Sequence, residues 1–260
     1  MLLFEIILLS IVQGIGEFLP ISSSGHVVVL ANLFNQFGRP LPDIVTVNIA
    51  LHLGTLLSIL VVYWRRILGL LGQDRRVIGL LLAGTMPAAI FGVYLKMHLK
   101  DSLDSALVAG CMFPLTGLLL LWTTRKQPGE LTCRELTYGR ALVIGAFQAL
   151  AIFPGISRSG STIIAGLGTG LKREEAATFS FLLAIPAILG AGLLESLDLM
   201  HRTTPLEPFG LLGLGLAISA AIGILSLWWL LRWLEQGRLH LFAWWVLLLG
   251  PAVVAWQLCR

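Results

Sequence analysis

The chain has 260 residues, of which 57% are hydrophobic and only 12% charged, and its mean hydropathy is +0.87. Soluble domains carry about 25% charged residues, so an ordinary water-soluble fold is excluded and an all-α polytopic membrane protein is expected. The formal net charge of +4 does not point to nucleic acid, because the basic residues sit in short loops between apolar runs, where they set membrane orientation.

The N-terminus, Met1-Leu2-Leu3-Phe4-Glu5, lacks a basic region and does not read as a cleaved signal peptide. Residues 2–37 are apolar but interrupted by Gly14, Gly16, Pro20 and Gly25, which is too broken for a span. Apolar runs near 43–63, 77–95 and 104–122 follow, each near the roughly 20 residues a bilayer crossing needs. Residues 123–135 hold Pro128-Gly129 and several charges, the composition of a solvated connection. A second broken stretch, 139–169, is interrupted by Pro154, Gly155 and Gly160, and further runs lie near 175–198, 209–231 and 241–257. The runs are continuous rather than alternating, so strands are not expected. Cys111, Cys133 and Cys259 are far apart and form neither a metal-ligand spacing nor a redox pair. They read as small apolar fillers.

The two broken stretches carry the same motif. Residues 13–26 read Gln-Gly-Ile-Gly-Glu-Phe-Leu-Pro-Ile-Ser-Ser-Ser-Gly-His, and residues 148–161 read Gln-Ala-Leu-Ala-Ile-Phe-Pro-Gly-Ile-Ser-Arg-Ser-Gly-Ser. They align without a gap, Gln13 on Gln148, Phe18 on Phe153, Ile21-Ser22 on Ile156-Ser157 and Ser24-Gly25 on Ser159-Gly160. Broken helices at matching places in two halves point to a midplane binding site, and irregular backbone survives at membrane depth only where protein buries it or it lines a cavity. Each stretch therefore reads as a re-entrant helix pair followed by three spans. The chain is one integral membrane domain, with repeat one at 1–122, a linker at 123–135 and repeat two at 136–260. Three spans per half is an odd number, so the second half is expected to be inverted. With the Arg65-Arg66…Arg75-Arg76 loop in the cytoplasm, twelve basic residues fall inside. Arg39, Lys96, Lys100, Arg202 and Arg260 fall outside, and Arg158 lies within the membrane. That bias obeys the positive-inside rule and turns both termini and the first re-entrant mouth outward.

The copies differ where chemistry would reside: Glu17, Ser23 and His26 in the first face Ile152, Arg158 and Ser161 in the second. A charge at the bilayer centre costs roughly 2.5–3.5 kcal/mol on insertion scales, so intramembrane ionisable groups mark function. Gln13 and Glu17, four apart, share a helix face; the pair can hold a divalent cation, orient a water or direct a histidine. Ser23 and His26, three apart, place a hydroxyl near a base, which is how a nucleophile is activated. His26 attacking directly, or activating water, are the alternatives. Arg158 offers a planar fork suited to phosphate. Around it Gly155 and Gly160 let backbone approach an anion, Ser157, Ser159 and Thr162 add donors, and a half-helix N-terminus faces the same place. Gln13, Ser22 and Ser24 complete the expected substrate contacts. His52, one span away, could line the cavity, but packing is the favoured expectation, and Trp228, Trp229, Trp233, Trp244 and Trp245 are expected to anchor at the interface. A lipid flippase or transporter on inverted repeats, or a structural Glu17–Arg158 ion pair, are the rival readings.

The segment from Gln13 and Glu17 through Pro20-Ile21-Ser22-Ser23-Ser24-Gly25-His26 resembles the (Glu/Gln)-x-x-x-Glu signature of bacterial undecaprenyl-diphosphate phosphatases, the bacitracin-resistance family. Pro154-Gly155-Ile156-Ser157-Arg158-Ser159-Gly160 is similar to that family's second signature. The resemblance covers essentially the whole chain. It implies hydrolysis of undecaprenyl diphosphate to undecaprenyl phosphate and inorganic phosphate at the outer face of the cytoplasmic membrane. That reaction recycles the lipid carrier for cell-wall synthesis and confers bacitracin resistance. The resemblance also implies a divalent cation, Mg²⁺ or Ca²⁺, with Glu17 as its candidate ligand. This chain has Gln13 where many members have Glu. The expected partners are the polyprenyl diphosphate and membrane lipids, not nucleic acid, and nothing in the sequence opposes a homo-oligomer.

Overall fold

The computed structural model describes residues 2–38, 44–123, 129–200 and 208–259. Among the described residues all regular secondary structure is helical apart from one isolated bridge, Leu131 with Leu171. The first half comprises α1 (Leu2–Gly16), α2 (Ser23–Gln36), α3 (Ile44–Val62), α4 (Trp64–Leu71), α5 (Arg75–His98), α6 (Lys100–Leu103) and α7 (Ala106–Thr123). After a 3-10 turn at Cys133–Glu135 come α8 (Tyr138–Leu150), α9 (Arg158–Gly168), α10 (Arg173–Met200), α11 (Phe209–Glu235) and α12 (Leu241–Leu258). Six of these, α3, α5, α7, α10, α11 and α12, are long and apolar enough to cross a membrane, matching the six expected runs. Those runs expose Leu57, Leu118, Leu193, Leu225 and Leu248 at their flanks, as lipid-facing helices do.

The two broken stretches fold as helical hairpins. Helices α1 and α2 pack together across the break at 17–22, and α8 and α9 pack together across 151–157. Each hairpin lies against a span of the opposite half, α1 on α11 and α8 on α5. Small residues permit these approaches, as is usual between membrane helices. Gly215 of α11 meets Ile6, Ser10 and Leu51, while Gly14 of α1 meets Ser219 and Ile222, so α1, α3 and α11 run the same way. Gly79 meets Tyr138, Gly84 meets Ala141 and Gly145, and Gly92 meets Ile152, so α5 runs with α8. On α10, Leu183 lies at Gly84 and the Leu194 carbonyl accepts from Lys96, so α10 runs with α5. Helices α7 and α12 are antiparallel, with Gly110 against Val253 and Gly117 against Ala243 and Leu247.

The largest core cluster joins both halves, from Phe18 and Leu19 through Ile59, Leu80 and Leu120 to Ile163, Phe181, Leu183 and Leu227. A membrane interior offers little hydrophobic drive between helices, so close packing carries this contact. Residues 124–128 of the connection between the halves, Pro128 among them, lie outside the described residues; the part from Gly129 on is less solvated than the composition suggests. Leu131 exchanges backbone hydrogen bonds with Gly170 and Lys172 (both 3.0 Å), and Cys133 and Leu136 are buried. A capping box between Thr132 and Glu135 closes the turn. The Cys133 thiol donates to the Glu175 carbonyl at 3.4 Å, and burial pushes it well above the usual thiol range. It is an inert packing group, as expected. Arg39, Arg125, Lys126, Arg202 and Arg260, which enter the charge argument, lie outside the described residues, as does the side chain of Lys100.

Candidate active site

The sequence dictates two helix starts that meet. Ser22 caps α2, its hydroxyl accepting from the Gly25 N–H at 3.3 Å. Ser157 caps α9, its hydroxyl accepting from the Gly160 N–H at 3.1 Å. A serine at such a position satisfies one of the N–H groups a helix start leaves unpaired. The two motif copies then touch reciprocally. A Cβ on Gly25 would fall 2.7 Å from the Gly155 nitrogen, and one on Gly160 would fall 3.1 Å from Pro20. Gly25 aligns with Gly160 and Pro20 with Gly155, so these two contacts are one contact seen from either half. Gly155 has φ +95°, and a side chain there would also collide with the Ala109 carbonyl, so only glycine serves.

Glu17 lies at the crossing, 7% exposed. Its Oε1 accepts from the Arg158 guanidinium at 2.5 Å. Its Oε2 accepts from the Ser23 hydroxyl at 2.9 Å and from the Gln13 amide at 3.0 Å. Arg158 also donates to the Ser180 carbonyl of α10 at 3.3 Å. Three side chains from two distant motifs, Gln13, Ser23 and Arg158, therefore converge on one carboxylate. An anion here also faces the starts of α2 and α9, where first-turn N–H groups and the helix dipole favour negative charge.

The expected pairing of Ser23 with His26 is not formed. The Ser23 hydroxyl donates its hydrogen bond to the Glu17 carboxylate instead. The His26 Nδ1–H donates to the Ser22 carbonyl at 2.7 Å, and Nε2 accepts from the Trp245 indole at 2.9 Å. Both ring nitrogens are thus engaged, and the ring lies edge-on to Phe113 with centroids 5.0 Å apart. The His26 contact props an unusual backbone. Ser22 has φ 70°, the one positive φ outside glycine among the described residues. Such conformations cost about 1–3 kcal/mol and cluster where function needs them. His26 therefore fixes the peptide that presents Ser23.

The second motif's hydroxyls are mostly committed to the fold. Ser157 is buried and hydrogen-bonds Ser159 at 3.2 Å. Ser159 reaches the Leu19 carbonyl at 3.4 Å. Thr162 turns away from the crossing, to the Arg158 carbonyl at 2.8 Å and the Ser180 hydroxyl at 2.5 Å. These three do not offer open phosphate donors, because a buried hydroxyl in an apolar bundle takes the nearest polar partner. Ser24 is exposed and lies 3.4 Å from the Ser22 hydroxyl. The Ser22 hydroxyl also accepts from the Gly155 N–H at 3.1 Å, tying the two motifs together.

Sequence reasoning undervalued two participants and missed a third. His52, for which packing was favoured over lining the cavity, brings Nε2 to 3.9 Å from Glu17 Oε2 with its side chain 37% exposed, and its Nδ1 is fixed on the Asn48 carbonyl at 2.8 Å. Thr116 of α7 braces the second break, donating to the Gly155 carbonyl at 2.8 Å and accepting from the Ser157 N–H at 3.0 Å. Trp245, expected only as an anchor, holds His26. The faint signals were a histidine and a threonine inside otherwise apolar spans.

The donor set does not suit a resident divalent cation. Hard cations take oxygen ligands, several at once. Here one Glu17 oxygen is bound to a guanidinium and the other receives two hydrogen-bond donors. No group of three or more His, Cys, Asp or Glu side chains that could hold a metal occurs among the described residues.

These features define a multi-pass helical membrane protein whose polar centre is built where two opposed helical hairpins cross. The chain belongs to the bacitracin resistance protein BacA family, which matches residues 6–252. It is 49% identical over 253 residues to an undecaprenyl-diphosphatase of Rhodopirellula baltica, covering 97% of each chain. It is 38% identical to one of Pelotomaculum thermopropionicum, covering 100% of this chain and 98% of the other. With one of Halothermothrix orenii it shares 37% identity, covering 97% of each.

Proposed function

We propose that this protein hydrolyses undecaprenyl diphosphate to undecaprenyl phosphate and inorganic phosphate, recycling the lipid carrier in the bacterial cytoplasmic membrane. The observation that carries the reading is the single carboxylate, Glu17, with a serine hydroxyl on one oxygen and a guanidinium on the other. The names of close relatives over nearly the whole chain supply the substrate class. The opposite senses of α3 and α10 (α10 begins where α3 ends, with Arg66 on Glu175 at 2.7 Å), of α5 and α11, and of α7 and α12 support two inverted repeats. The basic bias of the loops supports an outward-facing site.

In this reading Arg158 and the first N–H groups of α9 receive the diphosphate while the polyprenyl tail stays in lipid. Positioning and charge stabilisation are the chief tasks in phosphoryl transfer. Ser23 Oγ attacks the terminal phosphorus and its proton passes to Glu17. The bridging P–O bond breaks, and its electron pair leaves with the lipid monophosphate, which takes the proton from Glu17. Water then attacks the phosphoserine, giving its proton to Glu17 and from there to Ser23 Oγ as inorganic phosphate departs. His26 is the positioning residue for Ser23, and Gln13 orients the carboxylate.

The test is phosphate release from purified protein given a polyprenyl diphosphate, with wild type beside Arg158→Ala, both checked for folding. Release by wild type and its loss in the variant are expected. No release by folded wild type, with metal supplied, overturns the reading in favour of a lipid transporter.

A further inference from the structure

Among the described residues no group of three or more His, Cys, Asp or Glu side chains offers a divalent cation a seat. We infer that the cation is brought by the substrate's own diphosphate, and that Arg158 occupies the place a resident metal would need. The inference rests on the reading of the site as a diphosphate site.

The argument is one of coordination. Mg²⁺ demands near-octahedral oxygen geometry at about 2.0–2.1 Å, and is usually held by one or two carboxylates together with substrate phosphates. The one carboxylate at the crossing is Glu17, and Arg158 lies 2.5 Å from its Oε1. A divalent cation on that oxygen would face a fixed positive charge at contact distance, in surroundings that screen poorly. The other oxygen accepts from Ser23 at 2.9 Å and Gln13 at 3.0 Å. Both donors point hydrogens at the carboxylate, so both repel a cation from that side.

Gln13 is decisive for this chain. It stands one helical turn before Glu17, where a carboxylate would give a second charged ligand. A carboxamide gives instead an N–H donor, which neutralises part of Glu17's valence. The next nearest candidate is the His52 imidazole, 3.9 Å from Glu17 Oε2. Nitrogen suits the harder cations Mg²⁺ and Ca²⁺ poorly. A diphosphate carries several anionic oxygens on adjacent phosphorus atoms and is itself a chelator for such ions. The protein's own contribution of positive charge is the guanidinium, whose fork fits phosphate oxygens in two-pronged fashion.

The probe is Mn²⁺, followed by electron paramagnetic resonance, with purified full-length protein in detergent and methylenediphosphonate as a non-hydrolysable diphosphate. Wild-type protein alone is expected to hold no manganese. Protein with methylenediphosphonate is expected to hold one manganese per chain, and Arg158→Lys should weaken that ternary complex several-fold. Gln13→Glu, which restores a second carboxylate, is expected to bind manganese without the diphosphonate. Glu17→Gln serves as the control for adventitious sites. Stoichiometric manganese on wild type alone, abolished by Glu17→Gln, overturns the inference. So does diphosphonate binding, measured by calorimetry, that recruits no manganese. Failure of the diphosphonate to bind at all tells against the site reading itself, and phosphate release by wild type separates the two failures.

Discussion

The two motif copies share a backbone plan and divide the labour. The first copy gathers side chains that face one another: Gln13, Glu17 and Ser23 meet on a single carboxylate. The second contributes one charged group, Arg158, and spends its hydroxyls on holding its own helix and its neighbours. The contrast is sharpest at the aligned glutamines. Gln13 is satisfied by Glu17, whereas Gln148 is buried, with neither amide atom hydrogen-bonded among the described residues. Its would-be partner position holds Ile152. A duplicated scaffold thus keeps the geometry of two sites and the chemistry of one. Placing the acid and the cation on different halves makes the centre exist only when both hairpins dock.

That contrast can be broken at several points. The largest effect is expected at Arg158. Loss of a charge that stabilises a transferring phosphoryl group costs about 10³–10⁵ in kcat, so Arg158→Ala should fall in that range in a phosphate-release assay. Removing one partner of a buried pair also costs about 3–5 kcal/mol of stability, so a thermal melt must accompany it. Ser23→Ala comes next, with activity at or below roughly one part in 10³ of wild type, the level at which positioning and charge alone remain. In the second copy, Ser161→Ala, at the position aligned with His26, should leave kcat within about threefold, because surplus hydroxyls there are structural.

Smaller effects sharpen the picture. His52→Ala should lower kcat/KM roughly tenfold, corresponding to about 1.4 kcal/mol, through its place beside Glu17. Trp245→Phe removes one hydrogen bond from His26, worth about 1 kcal/mol, and should cost less than tenfold in kcat with KM unchanged. The smallest and most diagnostic change is Gln148→Leu. A buried amide without partners costs about 1–3 kcal/mol, so this variant should melt at or above wild type and retain activity. The corresponding Gln13→Leu should lose both stability and activity.

Much of this was legible in the sequence because membranes restrict the choices. Six apolar runs became six long helices, since backbone groups in lipid must be satisfied within the helix. The breaks fell where Pro20, Pro154 and Gly155 sit, and the internal repeat singled out Glu17 and Arg158 as charged groups of one composite site, whereas their direct ion pair, which forms, was the rival reading. Side-chain direction was not legible. Helical spacing put Ser23 and His26 on one face, but the turn at Ser22, with its positive φ, swings Ser23 to Glu17 and leaves His26 over the Ser22 carbonyl. Ser157, Ser159 and Thr162 looked like donors for a ligand, but Ser157 is taken by its helix cap and Ser159, and buried carbonyls claim Ser159 and Thr162. His52 and Thr116 lie on spans far away in sequence, and only packing of α3 and α7 against the hairpins brings them to the site.

The most direct test of the account is to trap the phosphorylated protein. Substrate labelled in its terminal phosphate would be mixed with wild type, quenched early and mapped by mass spectrometry. The account predicts label on Ser23, absent in Ser23→Ala and unchanged in position in Trp245→Phe. Label on His26, or full turnover with no label on the protein, would contradict it.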